Sequence, residues 1–180
     1  MGLVSPHPAG MRAVTLFMAL SFLSSFGASA PGPTKVGDPV PAVTCNDQDG
    51  KAIDVAKEGA SGLLLVYFYP KADTPGCTKQ GCSLRDGWGE LGKRGVKVLG
   101  VSTDDEADQK AFKEKYRLPF SLLADKDKKV CQAFGVSTTL GYASRTAFLF
   151  RDGKCVWVDP KSSTADQATV VLKFLETEGK

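Results

Sequence analysis

A chain of 180 residues, 42% of them hydrophobic and 24% charged, has the composition of an ordinary soluble globular protein, long enough for one domain with its own core. Its 23 basic and 20 acidic residues leave a formal net charge of only +3, and Lys126, Lys128 and Lys129 alternate with aspartates as a solvated helix face would, so nucleic acid is not a partner. Five cysteines, Cys45, Cys77, Cys82, Cys131 and Cys155, form no C-x-x-C pair, and the single histidine is His7, which together exclude a zinc framework.

The first thirty residues contain no acid. From Met11 they read as a secretory signal: Met11 and Arg12, an apolar stretch from Ala13 to Phe26, then small residues ending Ala28-Ser29-Ala30. Residues 1–30 are therefore expected to be a signal peptide, with Met11 as an alternative start. The apolar stretch is too short to span a bilayer, so no stable membrane association is expected after processing. Export to a periplasm or the outside is the expectation, and an organelle such as a plastid the alternative. Residues 31–41, punctuated by proline and glycine, read as a linker into a domain over residues 42–180.

Ala42–Cys45 and Ala52–Val55 flank Asp49-Gly50, a hairpin signal, and the hairpin is expected beside the next strand. That strand, Leu63–Tyr69, is an unbroken apolar run rich in aromatic and branched side chains, as suits a strand buried on both faces. It stops at Pro70, and after a polar turn a helix is expected from Cys77 to about Leu91, closed by Gly95. Val96–Val101 is a second apolar strand with no hairpin-length link to the first, hence a parallel partner. Thr103 to Glu106 reads as a capping box opening a helix that ends at Leu118-Pro119. Ser121–Ala124 reads as a short strand, Lys128–Phe134 as a short helix, and Val136–Ser144 as a loop near the functional site. Thr146–Arg151 and Lys154–Val158 form a hairpin through Asp152-Gly153, and Ser163 opens a last helix with Ala168, Val171, Leu172 and Leu175 on one face. Strands alternating with helices describe an α/β fold, a mixed central sheet flanked by helices.

Cys77 sits where a buried strand gives way to a helix. Free backbone N–H groups and the positive end of a helix dipole favour a thiolate there, so its pKa is expected below the reference of about 8.5. Thr74, three residues earlier, can present a hydroxyl to the sulfur or to an oxygen beside it, while Pro70 and Pro75 stiffen the loop. His7 is far out in the tail, which removes a Cys-His pair and leaves backbone or arginine to activate the thiol. Cys82 lies five residues on, turned about 140° away and displaced roughly 7.5 Å along the helix axis. A disulfide needs Cα atoms about 4.4–6.8 Å apart, so the two cannot bond until the helix unwinds. Gly81 lowers that barrier by roughly 1 kcal/mol relative to alanine. Oxidation of one cysteine to a sulfenic acid, followed by condensation with a second thiol, is the reversible branch of cysteine oxidation. Cys45, Cys131 and Cys155, in apolar surroundings, read as small packed residues. Arg85 reads as a helix-face charge, with a supporting role near the functional site as the alternative.

Pro70-x-x-x-Thr74-x-x-Cys77 matches the signature of peroxiredoxins, and the fuller run FYPKADTPGCTKQGC resembles the Q type, also called bacterioferritin comigratory protein. The likeness extends over roughly Val36 to Glu176. It implies a thioredoxin-like fold and a thiol-dependent peroxidase acting on hydrogen peroxide and organic hydroperoxides, with no metal or organic cofactor. By it Cys77 is the peroxidatic cysteine, Cys82 the resolving cysteine, Thr74 the hydroxyl that orients the peroxide, Arg145 in SRTAFLF the active-site arginine, and Pro70 a supporting residue. A thioredoxin-like dithiol is the implied reductant and a monomer the expected state. The departures are Gly81, where alanine is more usual, and the lack of a histidine early in the second helix. A dithiol oxidoreductase or isomerase is the rival enzyme reading, weakened because such enzymes use C-x-x-C. A redox sensor or holdase is the non-enzymatic one, separated from a peroxidase by peroxide consumption.

Overall fold

The computed structural model describes residues 1–3 and 32–178, so the signal sequence read over residues 1–30, with its start at Met11, lies outside the described residues but for the first three. Among the described residues no helix is long and apolar enough to cross a membrane.

The molecule is arranged around β3 (Leu63–Phe68), the apolar run of the sequence. On one side β4 (Val96–Ser102) pairs with it in parallel, Leu63 opposite Val96 through Phe68 opposite Val101, and β5 (Ser121–Ala124) pairs in parallel with β4. On the other, β8 (Ala147–Arg151) runs antiparallel to β3, followed by β9 (Lys154–Asp159), giving the order β5-β4-β3-β8-β9. Every residue from Leu64 to Tyr69 is 0% exposed. Alternation along the strand divides them between two cores. Leu65, Tyr67 and Tyr69 enter the layer with Cys77 and Leu84 of α2 (Pro75–Asp86), Leu91 of α3 (Trp88–Lys93), Phe112 of α4 (Glu106–Tyr116) and Val171 of α6 (Gln167–Thr177). Leu64, Val66 and Phe68 enter the opposite layer with Val130, Cys131 and Phe134 of α5 (Lys129–Phe134). At about 1.5–3 kcal/mol for each fully buried large apolar side chain, this one strand anchors both halves of the fold.

Several local expectations are corrected. The hairpin of β1 (Thr44–Asn46) and β2 (Ala52–Asp54) is a separate two-stranded sheet that lies not beside β3 but at the β5 edge, where Asp47 bridges Leu123 and Gln48 Oε1 accepts from Leu122 N at 2.8 Å. It runs into α1 (Val55–Gly59), a short helix capped by Asp54 that propensity alone does not announce. The helix expected from Cys77 to Leu91 is two helices, broken at Gly87, where a Cβ would lie 2.6 Å from Ala168 Cβ; glycine lets α6 press against the break. Asp105, not Thr103, caps α4, its carboxylate accepting from Asp108 N. Ser163 instead accepts from Asp166 N in the turn before α6, which starts four residues later than expected. The stretch read as a loop over Val136–Ser144 contains a small hairpin, β6 (Thr138–Thr139) and β7 (Tyr142–Ala143). The described part of the 31–41 segment is docked on the domain: Gly37 N donates to Cys155 O at 2.8 Å and Val40 N to Gly153 O at 3.0 Å, alongside β9.

Candidate active site

Helix α2 starts where β3 stops, and its first residues are arranged for a buried sulfur. Pro75 takes the first helical position, where a missing N–H costs nothing, and Cys77 is the third residue, 1% exposed. Thr74 holds the flanking position in extended conformation, yet its side chain does not cap the helix. Its hydroxyl donates to Lys71 O at 2.9 Å, which directs the oxygen's lone pairs elsewhere and leaves the first amides of α2 without a side-chain acceptor.

The antiparallel pairing of β8 with β3 brings the start of β8 beside the end of β3, Ala147 opposite Tyr67. Arg145, two residues before that pair, therefore reaches the helix from below. Its Nη2 lies 3.4 Å from Cys77 Sγ. Gly76 permits the approach, since a Cβ there would sit 3.1 Å from the same nitrogen. The other guanidinium arm, Nη1, donates to Gln80 Oε1 at 2.5 Å, and Gln80 Nε2 donates to Gln167 Oε1 at 2.9 Å and to Ser162 Oγ at 3.2 Å. Gln80 and Gln167 are both 0% exposed. A fully buried amide thus fixes the arginine, and is itself fixed by α6 and the turn before it.

A second buried network holds the loop on the other side of Cys77. Asp104 Oδ2 accepts from Ala72 N at 2.7 Å and from Ser102 Oγ at 2.6 Å; Gln109 Nε2 donates to Ser102 Oγ and to Leu123 O, each at 2.8 Å, while Tyr69 donates its phenol proton to Gln109 Oε1. Desolvation raises the Tyr69 phenol well above its ordinary value, so it stays a donor. Asp73, in left-handed conformation at φ 58°, accepts from Lys115 Nζ and Tyr116 Oη, both at 2.6 Å. Pro70 is thus followed by a loop tied down at two of its next three residues.

Cys82 is half-buried and free, on the same unbroken helix as Cys77. Gly81 between them has room for a methyl group, whose carbon would stand 3.4 Å from Leu118 Cδ1 and 3.6 Å from Phe112 Cζ. Arg85 does not meet the sulfur; it pairs with Asp86 and donates Nη1 to Tyr116 O at 2.9 Å. Cys131 and Cys155 are buried in the opposite core and Cys45 packs against it. Burial pushes the Cys45 thiol up to about 12, with Asp125 adding to it, and raises Cys131 further for the same two reasons. Among the described residues no group of three or more His, Cys, Asp or Glu is placed to hold a metal ion. Sequence reasoning missed Gln80, Ser162, Gln167 and Asp104. Only Gln80 carried a signal, standing three residues after Cys77 and so on the same helix face.

A family model described as the AhpC/TSA family matches residues 36–158. The chain is 42% identical over 152 residues to peroxiredoxin Bcp of Escherichia coli (strain K12), covering 80% of this chain and 97% of that one. It is 44% identical over 116 residues to a chloroplastic peroxiredoxin Q of Suaeda salsa, covering 64% of this chain and 54% of that one. Among solved structures, the peroxidoxin BcpB of Mycobacterium tuberculosis superposes with a TM-score of 0.73 at 33% identity, over 80% of this chain and 97% of that one. A structure from work on the alkyl peroxide reduction activity of Xanthomonas campestris bacterioferritin comigratory protein superposes with a TM-score of 0.72 at 28% identity, over 83% of this chain and all of that one.

Proposed function

The chain belongs to the AhpC/TSA family and is a thiol-dependent peroxidase of the peroxiredoxin kind, and we propose that Cys77 is the sulfur that takes the peroxide oxygen. The observation that carries this assignment is the Arg145 guanidinium 3.4 Å from Cys77 Sγ, beside a sulfur whose residue is only 1% exposed. As thiolate, Cys77 attacks one oxygen of ROOH. The S–O bond forms as the O–O bond breaks, the electron pair leaves on the departing oxygen, and that oxygen takes up a proton as ROH, or as water when R is hydrogen. Arg145 and the uncapped amides of α2 face the charge as it moves from sulfur to oxygen, the kind of fixed donor set that lowers such barriers most. Thr74 has committed its own proton to Lys71, so its oxygen is left to accept the hydroperoxide's hydrogen and hold that end in line. Pro70 supports the loop that carries Thr74.

Cys77 is now a sulfenic acid. Once α2 unwinds locally, the Cys82 thiol attacks that sulfur, water leaves, and a Cys77–Cys82 disulfide forms. A thioredoxin-like dithiol reduces it and becomes a disulfide itself. The step needs no metal or organic cofactor, because the peroxide brings the oxidising power and sulfur carries it. Replacing Cys77 by serine should abolish peroxide consumption in the presence of a dithiol, and turnover retained at the unmutated rate would move the chemistry to another thiol. One equivalent of peroxide should yield a Cys77–Cys82 crosslink by mass spectrometry.

The finer reading includes a monomer released from residues 1–30 and working after export, or in a plastid, as the chloroplastic relatives do. N-terminal sequencing of the mature protein tests it, since an intact Met1 or Met11 terminus on the working enzyme would overturn export by cleavage.

A further inference from the structure

Helix α2 carries an unusual load. Among the described residues, the buried side-chain polar atoms without a hydrogen-bond partner are Tyr67 Oη, Thr78 Oγ1 and Gln167 Nε2; two of these residues belong to this helix or bond to it, and the third lies in the core layer it covers. Thr78 belongs to α2. Gln167 accepts from Gln80 of α2. Tyr67 shares the core layer covered by α2 with Cys77 and Leu84, its hydroxyl lying over Gly100 of the neighbouring strand β4. A buried polar group without a partner disfavours the state that buries it, and water satisfies it once the cover opens.

Against that load the helix is held by the last turn of α4 and the residues after it. Arg85 Nη1 donates to Tyr116 O at 2.9 Å near the C-terminal end of α2, and Leu118, 3% exposed, lies over Gly81 in its middle. The pair formed by Asp73 with Lys115 and Tyr116 lies on the far side of Thr74, outside the helix. Unwinding between Cys77 and Cys82 lifts Gly81 away from Leu118 and, carried to the end of α2, breaks the Arg85 contact, while the Asp73 pair lies outside the helix and can persist.

We propose that Tyr116–Leu118 is a latch, with Arg85 as its positioning residue, that opposes the unpartnered polar atoms beneath α2 and so sets how fast the helix opens for resolution. The proposal rests on the reading of α2 as the segment that unwinds. The balance decides the fate of the sulfenic acid: fast opening delivers it to Cys82, slow opening leaves it exposed to a second peroxide and to sulfinic acid.

The test measures amide hydrogen exchange across residues 77–86 in the reduced protein and, separately, the rates of peroxide attack, crosslink formation and sulfinic acid formation. Arg85→Ala should raise exchange and crosslinking about fivefold, the factor for roughly 1 kcal/mol, and lower sulfinic acid at Cys77, with the rate of peroxide attack unchanged. Arg85→Lys should return part of the effect. Tyr67→Phe, which removes one unpartnered hydroxyl without changing the ring, should act in the opposite direction on all three. Unchanged exchange in Arg85→Ala, or faster opening in Tyr67→Phe, overturns the latch. If exchange responds as stated but the unmutated protein forms no Cys77–Cys82 crosslink, the latch stands and it is the role of Cys82 that fails.

Discussion

Cys77 and Cys131 occupy matching places in the molecule. Each is the third residue of a helix that follows a strand of the central sheet, and each is 1% exposed. They lie in opposite cores, and their neighbours carry opposite charge. At Cys77 the Arg145 guanidinium approaches the sulfur and no side chain takes up the helix amides. At Cys131 the Asp125 carboxylate accepts from Val130 N at 2.9 Å and Cys131 N at 2.8 Å, so the donors that would face an anion are already engaged. Burial and that carboxylate push the Cys131 thiol far up. A cation beside a thiol favours the anion and a carboxylate disfavours it. The start of one helix is therefore left open to an anion, with free amides and a positive charge beside them, and the start of the other is already taken by a carboxylate.

The largest effect expected from disturbing this contrast is at Arg145. Arg145→Gln keeps a donor but removes the charge, and the second-order rate of peroxide consumption should fall by roughly 100-fold, the usual cost of losing one preorganised donor to developing charge. A loss under threefold in stopped-flow would mean that the backbone alone activates Cys77. Gly76→Ala should act on the same contact more gently. Its methyl displaces the guanidinium by a few tenths of an ångström, and a loss of about tenfold is expected, with the fold unchanged by circular dichroism.

The opposite core offers the complementary change. In protein whose Cys45, Cys77, Cys82 and Cys155 are all serine, Asp125→Asn should let Cys131 ionise at lower pH than with aspartate present, followed by ultraviolet thiolate absorbance. With Cys77 and Cys82 intact, the same substitution should leave peroxide turnover unchanged. An unmoved Cys131 titration would assign its upward shift to burial alone. The smallest effect is on stability. The folded-state pKa of Cys45 is raised from 9.0 to about 12, so an unfolded chain loses that proton first as pH rises. The stabilising difference is fully present below 9 and lost between 9 and 12. Urea midpoints should fall with pH over that window, and less steeply in Cys45→Ala; identical slopes would remove the thiol from the account.

Much of this was legible in the chain. The unbroken run from Leu63 to Tyr69 announced a strand covered on both faces, and Asp152-Gly153 announced the β8–β9 turn, where both residues take positive φ of 49° and 82°. The motif around Cys77 pointed to Thr74, Cys82 and Arg145, and Arg145 does reach the sulfur. What stayed hidden depends on packing between distant segments. Nothing near Gly87 in sequence says that Ala168 will press on it, and so the single long helix expected there is two. Capping was misjudged because Thr103, Asp104 and Asp105 are three adjacent candidates; Asp104 is drawn away to Ala72 N and Ser102, leaving Asp105 for α4. Ser162 and Gln167 give no local sign, since their task is to hold Gln80 from another helix.

Gln80 has a further consequence for the charge at the site. It steers Arg145 through a carbonyl oxygen and is itself moored through its amino group, and neither end bears a formal charge. Had the moored side chain been a carboxylate, it would have answered part of the arginine's positive field. An uncharged tether leaves that field undivided at the one sulfur it faces, 3.4 Å away.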